Sequence, residues 1–171
     1  MEGWDTWQRQ RDDGAVESEQ CVTLSVPVVE FSADGAEQLG HTYWREVERV
    51  TRRLVQARDR NGFLELRLLA NGPVLLRFGR PAFEATNELA YCCYPIEGGL
   101  LAQRAAGEIV FAQSSGPPPA VRSTIRGFFP SLAARERKPD WTGALYTRVQ
   151  SRIHIAISRR YFARLISEAR T

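Results

Sequence analysis

Apolar residues near the carboxyl end of the chain recur every three or four positions over residues 141–169, which is the period of an amphipathic α-helix. The pattern predicts a long final helix that buries one face. Such a helix needs an apolar surface to cover, and that surface must come from the residues before it. The repeating positions are Leu145, Val149, Ile153, Ala156 and Ile157.

Short runs of alternating apolar and polar residues fill residues 63–129, and Gly, Pro and Asn separate them. Alternation with a period of two is typical of half-buried β-strands. Pro81 should kink one strand, with a short continuation after it, and further short strands are predicted at residues 100–104 and 108–113. Residues 89–96 are apolar or aromatic on both faces, so the pattern does not decide which face of this strand points into the core. In the clearest run, Val121, Ser123 and Ile125 share one face.

Two elements and a leader precede these strands. Residues 21–31 alternate and predict a first strand. Thr42 is the expected N-cap of a helix that runs to residue 57, and Asn61 and Gly62 then break that helix. Residues 1–19 show no clear period, so we predict a flexible leader ahead of a single domain over residues 20–171.

Charge gives little guidance to function. The 23 Lys and Arg residues against 20 acidic residues give a net charge of +3 and a pI near 9.0. Arginines on the predicted outward strand faces and along the last helix suggest a basic surface, but glutamates interleave with them, and we predict no specific nucleic-acid binding. These arginines are Arg67, Arg77, Arg122, Arg126, Arg148, Arg152 and Arg159.

The sequence contains few residues that could bind a metal or form a disulfide. The three cysteines, Cys21, Cys92 and Cys93, have no CxxC spacing, and neighbouring strand residues point to opposite faces. His41 and His154 are far apart and are interpreted as structural or exposed, with His154 on the side of the final helix away from its apolar stripe. We therefore predict no disulfide, no metal, no cofactor and no catalytic residue.

The longest apolar runs are too short to span a membrane, and the first residues lack the layout of a signal peptide. We expect a soluble, cytoplasmic protein. The fold class that the elements predict is α+β: a curved antiparallel sheet of about seven strands wrapped around a long C-terminal helix, with one further helix after the first strand.

This order of elements resembles the helix-grip fold of the START and Bet v 1-like (SRPBCC) superfamily, and the resemblance covers residues 20–169 without a residue motif. It implies a cavity between the C-terminal helix and the sheet that binds an apolar small molecule or lipid. Fold does not fix function, so a polyketide cyclase-like enzyme, a basic nucleic-acid-binding surface and an oligomeric scaffold remain alternatives. Trp4 and Trp7 in the leader motivate the scaffold, for which a homodimer is the expected form.

The ligand-binding prediction selects polar or apolar side chains expected to face that cavity. Ser123 lies on the inward face of its strand, and one of Tyr91 and Tyr94 must share that side of the sheet. Ile153 belongs to the apolar stripe of the final helix that is expected to face the cavity, and Tyr146 is expected on the flank of that helix. A buried serine needs a hydrogen-bond partner, which backbone, water or a ligand could supply.

Overall fold

The computed structural model describes residues 3–131 and 140–169, and for residues 140–153 it describes the helical backbone alone. The fold is α+β, as predicted, with two helices and nine strands in the described residues. The long C-terminal helix is also confirmed. The elements are β1 Gly3–Gln10, β2 Val16–Thr23, α1 Ala33–Val50, β3 Val55–Arg60, β4 Phe63–Leu68, β5 Val74–Phe78, β6 Ala82–Ala85, β7 Leu89–Gly98, β8 Glu108–Ser114, β9 Ala120–Phe128 and α2 Asp140–Glu168.

The nine strands form one open antiparallel sheet in the order β1-β2-β9-β8-β7-β5-β4-β3, with β6 also paired to β7. β7 is long enough to pair with two strands in succession. Its Ala90–Cys93 half pairs with β6, and its Ile96–Gly98 half pairs with β5. The chain between β5 and β6 contains Pro81, so the predicted kink and continuation are confirmed. Residues 100–104, predicted as a strand, form turns with one isolated bridge between Ala102 and Pro130.

Both helices pack on the same face of the sheet. Tyr43 of α1 lies 4.5 Å from Phe111 of β8 and 5.4 Å from Tyr161 of α2, measured between ring centroids. Phe111 and Tyr161 are also in contact, at 5.6 Å. This aromatic layer joins α1, α2 and the sheet into one core. From residue 154 onward, where the side chains of α2 are described, its buried residues are Ile157, Ser158, Tyr161, Phe162 and Leu165.

The predicted stripe of α2 is partly wrong. Ile157 is buried, but Ala156 is exposed because the buried face continues through Tyr161 and Leu165 at helical spacing. Leu145, Val149 and Ile153 lie outside the residues whose side chains the structure describes.

The boundaries predicted for α1 are wrong at both ends. Ser32, not Thr42, is the N-cap, and its Oγ accepts a hydrogen bond of 3.1 Å from Gly35 N–H. Thr42 is buried within the helix. The apolar period continues past Val50, but Arg52 and Arg53 take left-handed φ angles of 51° and 62° that end the helix, so the next residues form β3.

Asn61 and Gly62 form the two-residue turn between β3 and β4, with φ angles of 56° and 81°. Positive φ at both central positions is what a type I′ hairpin turn requires, and Asn-Gly is the commonest pair that provides it. The sequence predicted only a helix break here. Asn61 and Gly62 therefore connect two strands, whereas the sequence pattern placed them between a helix and a strand.

A β-hairpin of β1 and β2 occupies the place of the predicted leader and spans the predicted boundary at residue 20. Trp4 of β1 contacts Phe162 of α2, with ring centroids 5.2 Å apart. The first strand predicted at residues 21–31 starts earlier, at Val16, and ends at Thr23. Its inward positions include Ser18 and Gln20, which are buried although polar, and these polar residues hid the alternation.

Candidate functional site

Ser123 lies in the middle of the sheet face that the helices cover. It is 1% exposed, and its neighbours on the adjoining strands are Gln20 of β2 and Phe111 of β8. Its Oγ has no hydrogen-bond partner in the described part of the chain. A buried hydroxyl in this state is uncommon in proteins, so this position marks the interior for closer inspection.

Three polar residues of α2 face the same interior at helical spacing: His154, Ser158 and Tyr161. Ser158 Oγ donates a hydrogen bond of 3.0 Å to Gln20 Oε1, which joins α2 to β2. His154 Nδ1 lies 3.3 Å from the Tyr43 hydroxyl of α1. His154 Nε2 and the Tyr161 hydroxyl are buried without a partner among the described residues. We call the set Gln20, Tyr43, Ser123, His154, Ser158 and Tyr161 the interior polar layer.

The predicted position of His154 on the outer side of the final helix is therefore wrong. The sequence does contain the information needed to place His154 correctly, because residues 154, 158, 161 and 165 have the spacing of one helix face. The apolar stripe chosen from the sequence is rotated from this face by about one position. This buried face was not recognised in the hydrophobic pattern because it carries polar side chains, just as the start of β2 was not recognised because Gln20 is polar.

The interior polar layer carries no net charge at neutral pH. Burial lowers the pKa of His154 to about 4, so its imidazole is neutral. Burial also raises the pKa of the Tyr43 hydroxyl and of the Tyr161 hydroxyl, so both stay protonated. The layer thus offers neutral donors and acceptors inside an otherwise apolar core.

The two candidate tyrosines lie on opposite faces of β7. Tyr94 is 2% exposed and faces the helices, beside Trp44 of α1 at 5.2 Å between ring centroids. Tyr91 is half-buried on the other face. The structure therefore places Ser123 and Tyr94, but not Tyr91, on one side of the sheet. Tyr146 and Ile153 lie outside the residues whose side chains are described.

Gly40 brings α1 unusually close to Tyr94. A Cβ at this position would lie 3.0 Å from Cys92 Sγ and 2.8 Å from Tyr94 Cε2. Side chains rarely approach so closely, so only glycine allows this contact between α1 and β7. The thiol of Cys92 is buried and free, and burial raises its pKa to about 12.

A half-open cavity of about 480 Å³ lies beside α1, at the end of the sheet where the β3–β4 hairpin meets the kink after β5. Tyr94 and Trp44 form part of its wall. We call it the α1 cleft. Its lining residues are Glu37, His41, Trp44, Asp59, Asn61, Gly62, Leu64, Arg80, Pro81, Phe83 and Tyr94.

The outer face of the sheet carries arginines that are paired with glutamates. Arg67 and Arg77 lie 2.8 Å and 3.2 Å from the two carboxylate oxygens of Glu65, and a hydrogen bond from Arg67 holds the pKa of Glu65 below its ordinary value. Two further arginine–glutamate pairs lie across neighbouring strands at 3.8 Å and 3.7 Å: Arg122 with Glu19, and Arg126 with Glu108. Cross-strand pairs of this kind neutralise much of the positive field of the sheet.

Within residues 3–131 and 140–169, no three His, Cys, Asp or Glu side chains come together as metal ligands would. The described residues also contain no helix with the length and apolar character needed to cross a membrane.

No protein-family model matches the chain, and no curated protein matches it at a significant level. Among solved structures, the chain is similar to CalU16 from Micromonospora echinospora, with 13% sequence identity over 99% of this chain and 98% of that chain, at a TM-score of 0.31. A TM-score this low has no bearing on function. The chemistry of the interior must therefore be judged from its own residues.

Proposed function

We propose that this protein binds an apolar small molecule or lipid in the interior between α2 and the sheet. One observation carries the proposal: Ser123 Oγ, His154 Nε2 and the Tyr161 hydroxyl are all buried without a hydrogen-bond partner in the described chain. Leaving such an atom unsatisfied costs about 1 to 3 kcal/mol, so three of them in one core are expensive for a purely structural interior. A ligand that carries polar atoms supplies the missing partners.

The charge state of these groups selects the chemistry of the ligand. A neutral imidazole and protonated phenols form hydrogen bonds with hydroxyl and carbonyl oxygens. An ionised carboxylate in the same place would have no counter-charge there, and burying it would cost several kcal/mol, roughly as for any unpaired buried ion. The favoured ligand is therefore a neutral, mostly apolar molecule with one or a few oxygen functions.

The low pKa of His154 favours ligand binding over a cyclase-like enzyme activity. His154 is the imidazole of the interior, and a base whose conjugate acid has a pKa of about 4 is weak at neutral pH. An efficient general base has a pKa closer to the working pH. Burial raises the pKa of the Tyr43 hydroxyl beside it, so Tyr43 stays protonated and supplies no phenolate to act as the base.

Native mass spectrometry of freshly purified protein tests whether a ligand is carried. Nile red, a neutral fluorescent molecule with a carbonyl oxygen, tests the site directly, and we expect a Kd in the micromolar range, worth roughly 8 kcal/mol at 1 μM. Ile153→Trp, at a position of α2 that the sequence pattern predicts to face this space, should block the dye. Ala156→Trp places the same side chain on the exposed side of α2 and is the matched control.

Two results would overturn the proposal. One is a Nile red affinity weaker than about 100 μM together with no bound mass in the native spectrum. The other is an experimental structure in which the space beneath α2 is smaller than about 300 Å³, the lower limit for pockets that enclose a small molecule.

A further inference from the structure

The α1 cleft is separate from the interior polar layer, because no residue lines both. Its floor is apolar and aromatic, formed by Trp44, Leu64, Phe83 and Tyr94. Tyr94 stands nearly perpendicular to the two aromatic neighbours that also line the cleft, at 90° to Trp44 and 82° to Phe83. The cleft therefore presents ring edges and aliphatic surface to whatever enters it, and its volume suits a small molecule.

Arg80 is the positive charge on the rim of this cleft, and its position is set by the chain around it. Arg80 lies between the end of β5 and Pro81. The kink between β5 and β6 therefore holds it at the cleft. Its guanidinium carbon lies 5.8 Å from the ring centroid of Phe63 on the β3–β4 hairpin. Among the described residues it forms no salt bridge. A guanidinium held by an aromatic ring but lacking an anion has its hydrogen-bond donors available to a ligand.

The two carboxylates on the same rim are already engaged. Asp59 Oδ1 accepts a hydrogen bond of 3.2 Å from Gly62 N–H and so belongs to the hairpin turn. Glu37 Oε1 lies 3.6 Å from Nε2 of His41, one turn further along α1. Neither contact is an ion pair with Arg80, which is therefore the rim group that can pair with an anionic ligand, while the two carboxylates add negative charge to the rim and weaken that pairing.

We propose that the α1 cleft binds a small amphipathic carboxylate, such as an arylalkanoic acid. The carboxylate pairs with the Arg80 guanidinium, whose planar fork matches its two oxygens. The ring or short chain of the ligand lies on Leu64, Phe83 and Tyr94. This ligand class differs from that of the interior polar layer, which has no counter-charge for an anion.

The test uses 1-naphthaleneacetate as the probe and follows the amide resonances of the full-length protein by ¹H–¹⁵N NMR. We expect a Kd of about 0.1 to 1 mM, as for a ligand of this size on a half-open site. Shifts should centre on Phe83, Tyr94 and the Trp44 indole N–H. Arg80→Gln should weaken binding roughly tenfold, the loss of one charge-assisted pair.

Arg104→Gln is the matched control, because Arg104 is also an exposed arginine over a phenyl ring, 3.5 Å from the centroid of Phe129, and does not line the cleft. It should leave the affinity unchanged. Ile153→Trp, which blocks the interior site of the proposed function, should also leave it unchanged, so the two proposals fail independently.

Three outcomes would overturn this assignment. The first is the absence of shifts at the cleft at millimolar probe. The second is equal binding by the Arg80→Gln variant, which would mean that the guanidinium does not hold the carboxylate. The third is tighter binding of the matched cation 1-naphthylmethylammonium, which would assign the cleft to amines through Glu37 and Asp59.

Discussion

Two buried polar residues on the same face of the sheet differ in how their atoms are satisfied. Gln113 Oε1 accepts hydrogen bonds from the backbone N–H groups of Val28 and Val29, at 2.6 Å and 3.0 Å, and its Nε2 donates to Val29 C=O at 2.7 Å. Ser123 Oγ, one strand away, has no partner in the described chain. Gln113 therefore fixes the segment before α1, whereas the Ser123 hydroxyl has no comparable structural task.

This contrast predicts effects of different size on the free energy of unfolding. Ser123→Ala should change it by less than about 1 kcal/mol, because no hydrogen bond is lost. Gln113→Leu has nearly the same volume but leaves three backbone groups unpaired, and it should cost about 2 to 4 kcal/mol. Urea denaturation of the ligand-free protein measures both. A loss above about 2 kcal/mol for Ser123→Ala would show that its hydroxyl is satisfied and would weaken the binding proposal.

His154 predicts a pH dependence of stability. Burial lowers its pKa from 6.5 to about 4, so between these pH values the unfolded chain binds a proton that the folded chain does not. Stability contributed by the neutral imidazole is present above pH 6.5 and is lost as the pH falls. Lowering the pH from 7 to 5 should cost about 2 kcal/mol by this linkage.

Denaturation curves at several pH values check this, and His154→Phe should flatten the profile between pH 7 and 5. Glu65 acts at lower pH, since a hydrogen bond from Arg67 lowers its pKa from 4.5 and its contribution is lost only below that value. A wild-type profile that is flat over the same interval would mean that His154 is more accessible to protons than its surroundings suggest.

At the scale of elements, β1 is one of two strands that the sequence did not predict, the other being β3. The residues of β1 are largely exposed, so no alternation marks it, and its stability depends on pairing with β2 and on packing of Trp4 against Phe162 of α2. Trp7 lies on the same strand but is 44% exposed. The two tryptophans, which looked equivalent in the sequence, therefore have different roles.

Trp4→Ala should destabilise the protein by about 2 to 3 kcal/mol, because it removes a large side chain from the surface of Phe162. Trp7→Ala is the control within the same strand and should cost less than about 0.5 kcal/mol, as exposed substitutions do. Thermal or urea unfolding distinguishes them. Equal small effects would mean that β1 is held by backbone pairing alone.

The elements that the sequence predicted best are those with a strict pattern and a clean boundary. β9 alternates throughout, and spacings of three and four marked α2 as a helix although the stripe chosen was rotated, so both elements were found. The end of α1 was missed because backbone conformation at Arg52 and Arg53 overrides an apolar period that continues past it. The start of β2 was missed because Gln20 is buried through a hydrogen bond to Ser158, 138 residues away, which no local pattern encodes.

The candidate site was predictable to the same limited extent. Ser123 could be placed on an inward face because its strand alternates, and the orientation of Tyr94 needed the sheet register. His154 required the rotation of α2 about its axis, which polar side chains on the buried face obscured. The α1 cleft was out of reach, because it depends on the β3–β4 hairpin, the kink at Pro81 and α1 meeting in space.

Over the whole molecule, the net charge is only +3, and arginines on the outer face of the sheet pair with glutamates. Such a surface offers few unpaired cations to a phosphate backbone. A homodimer and a cytoplasmic location stay predictions.

We therefore expect nucleic acids to bind non-specifically, with a Kd of about 0.1 mM or weaker at physiological salt. Fluorescence anisotropy with labelled DNA and RNA of mixed sequence checks this. The double variant Glu19→Gln and Glu108→Gln frees Arg122 and Arg126 and should tighten binding at low salt, as a positive control. Sub-micromolar affinity of the wild-type protein would favour the nucleic-acid-binding alternative.

The pairing of β2 with β9 has a consequence for how the chain is made. Glu19 lies opposite Thr124, a separation of 105 residues. At about 5 to 20 residues per second, ribosomal synthesis leaves the hairpin of β1 and β2 without its neighbour for roughly 5 to 20 s. During that time the backbone groups of β2 that later bond to β9 form an open strand edge, which can pair with other chains. This edge of β2 is therefore exposed in the nascent chain and covered by β9 in the folded protein.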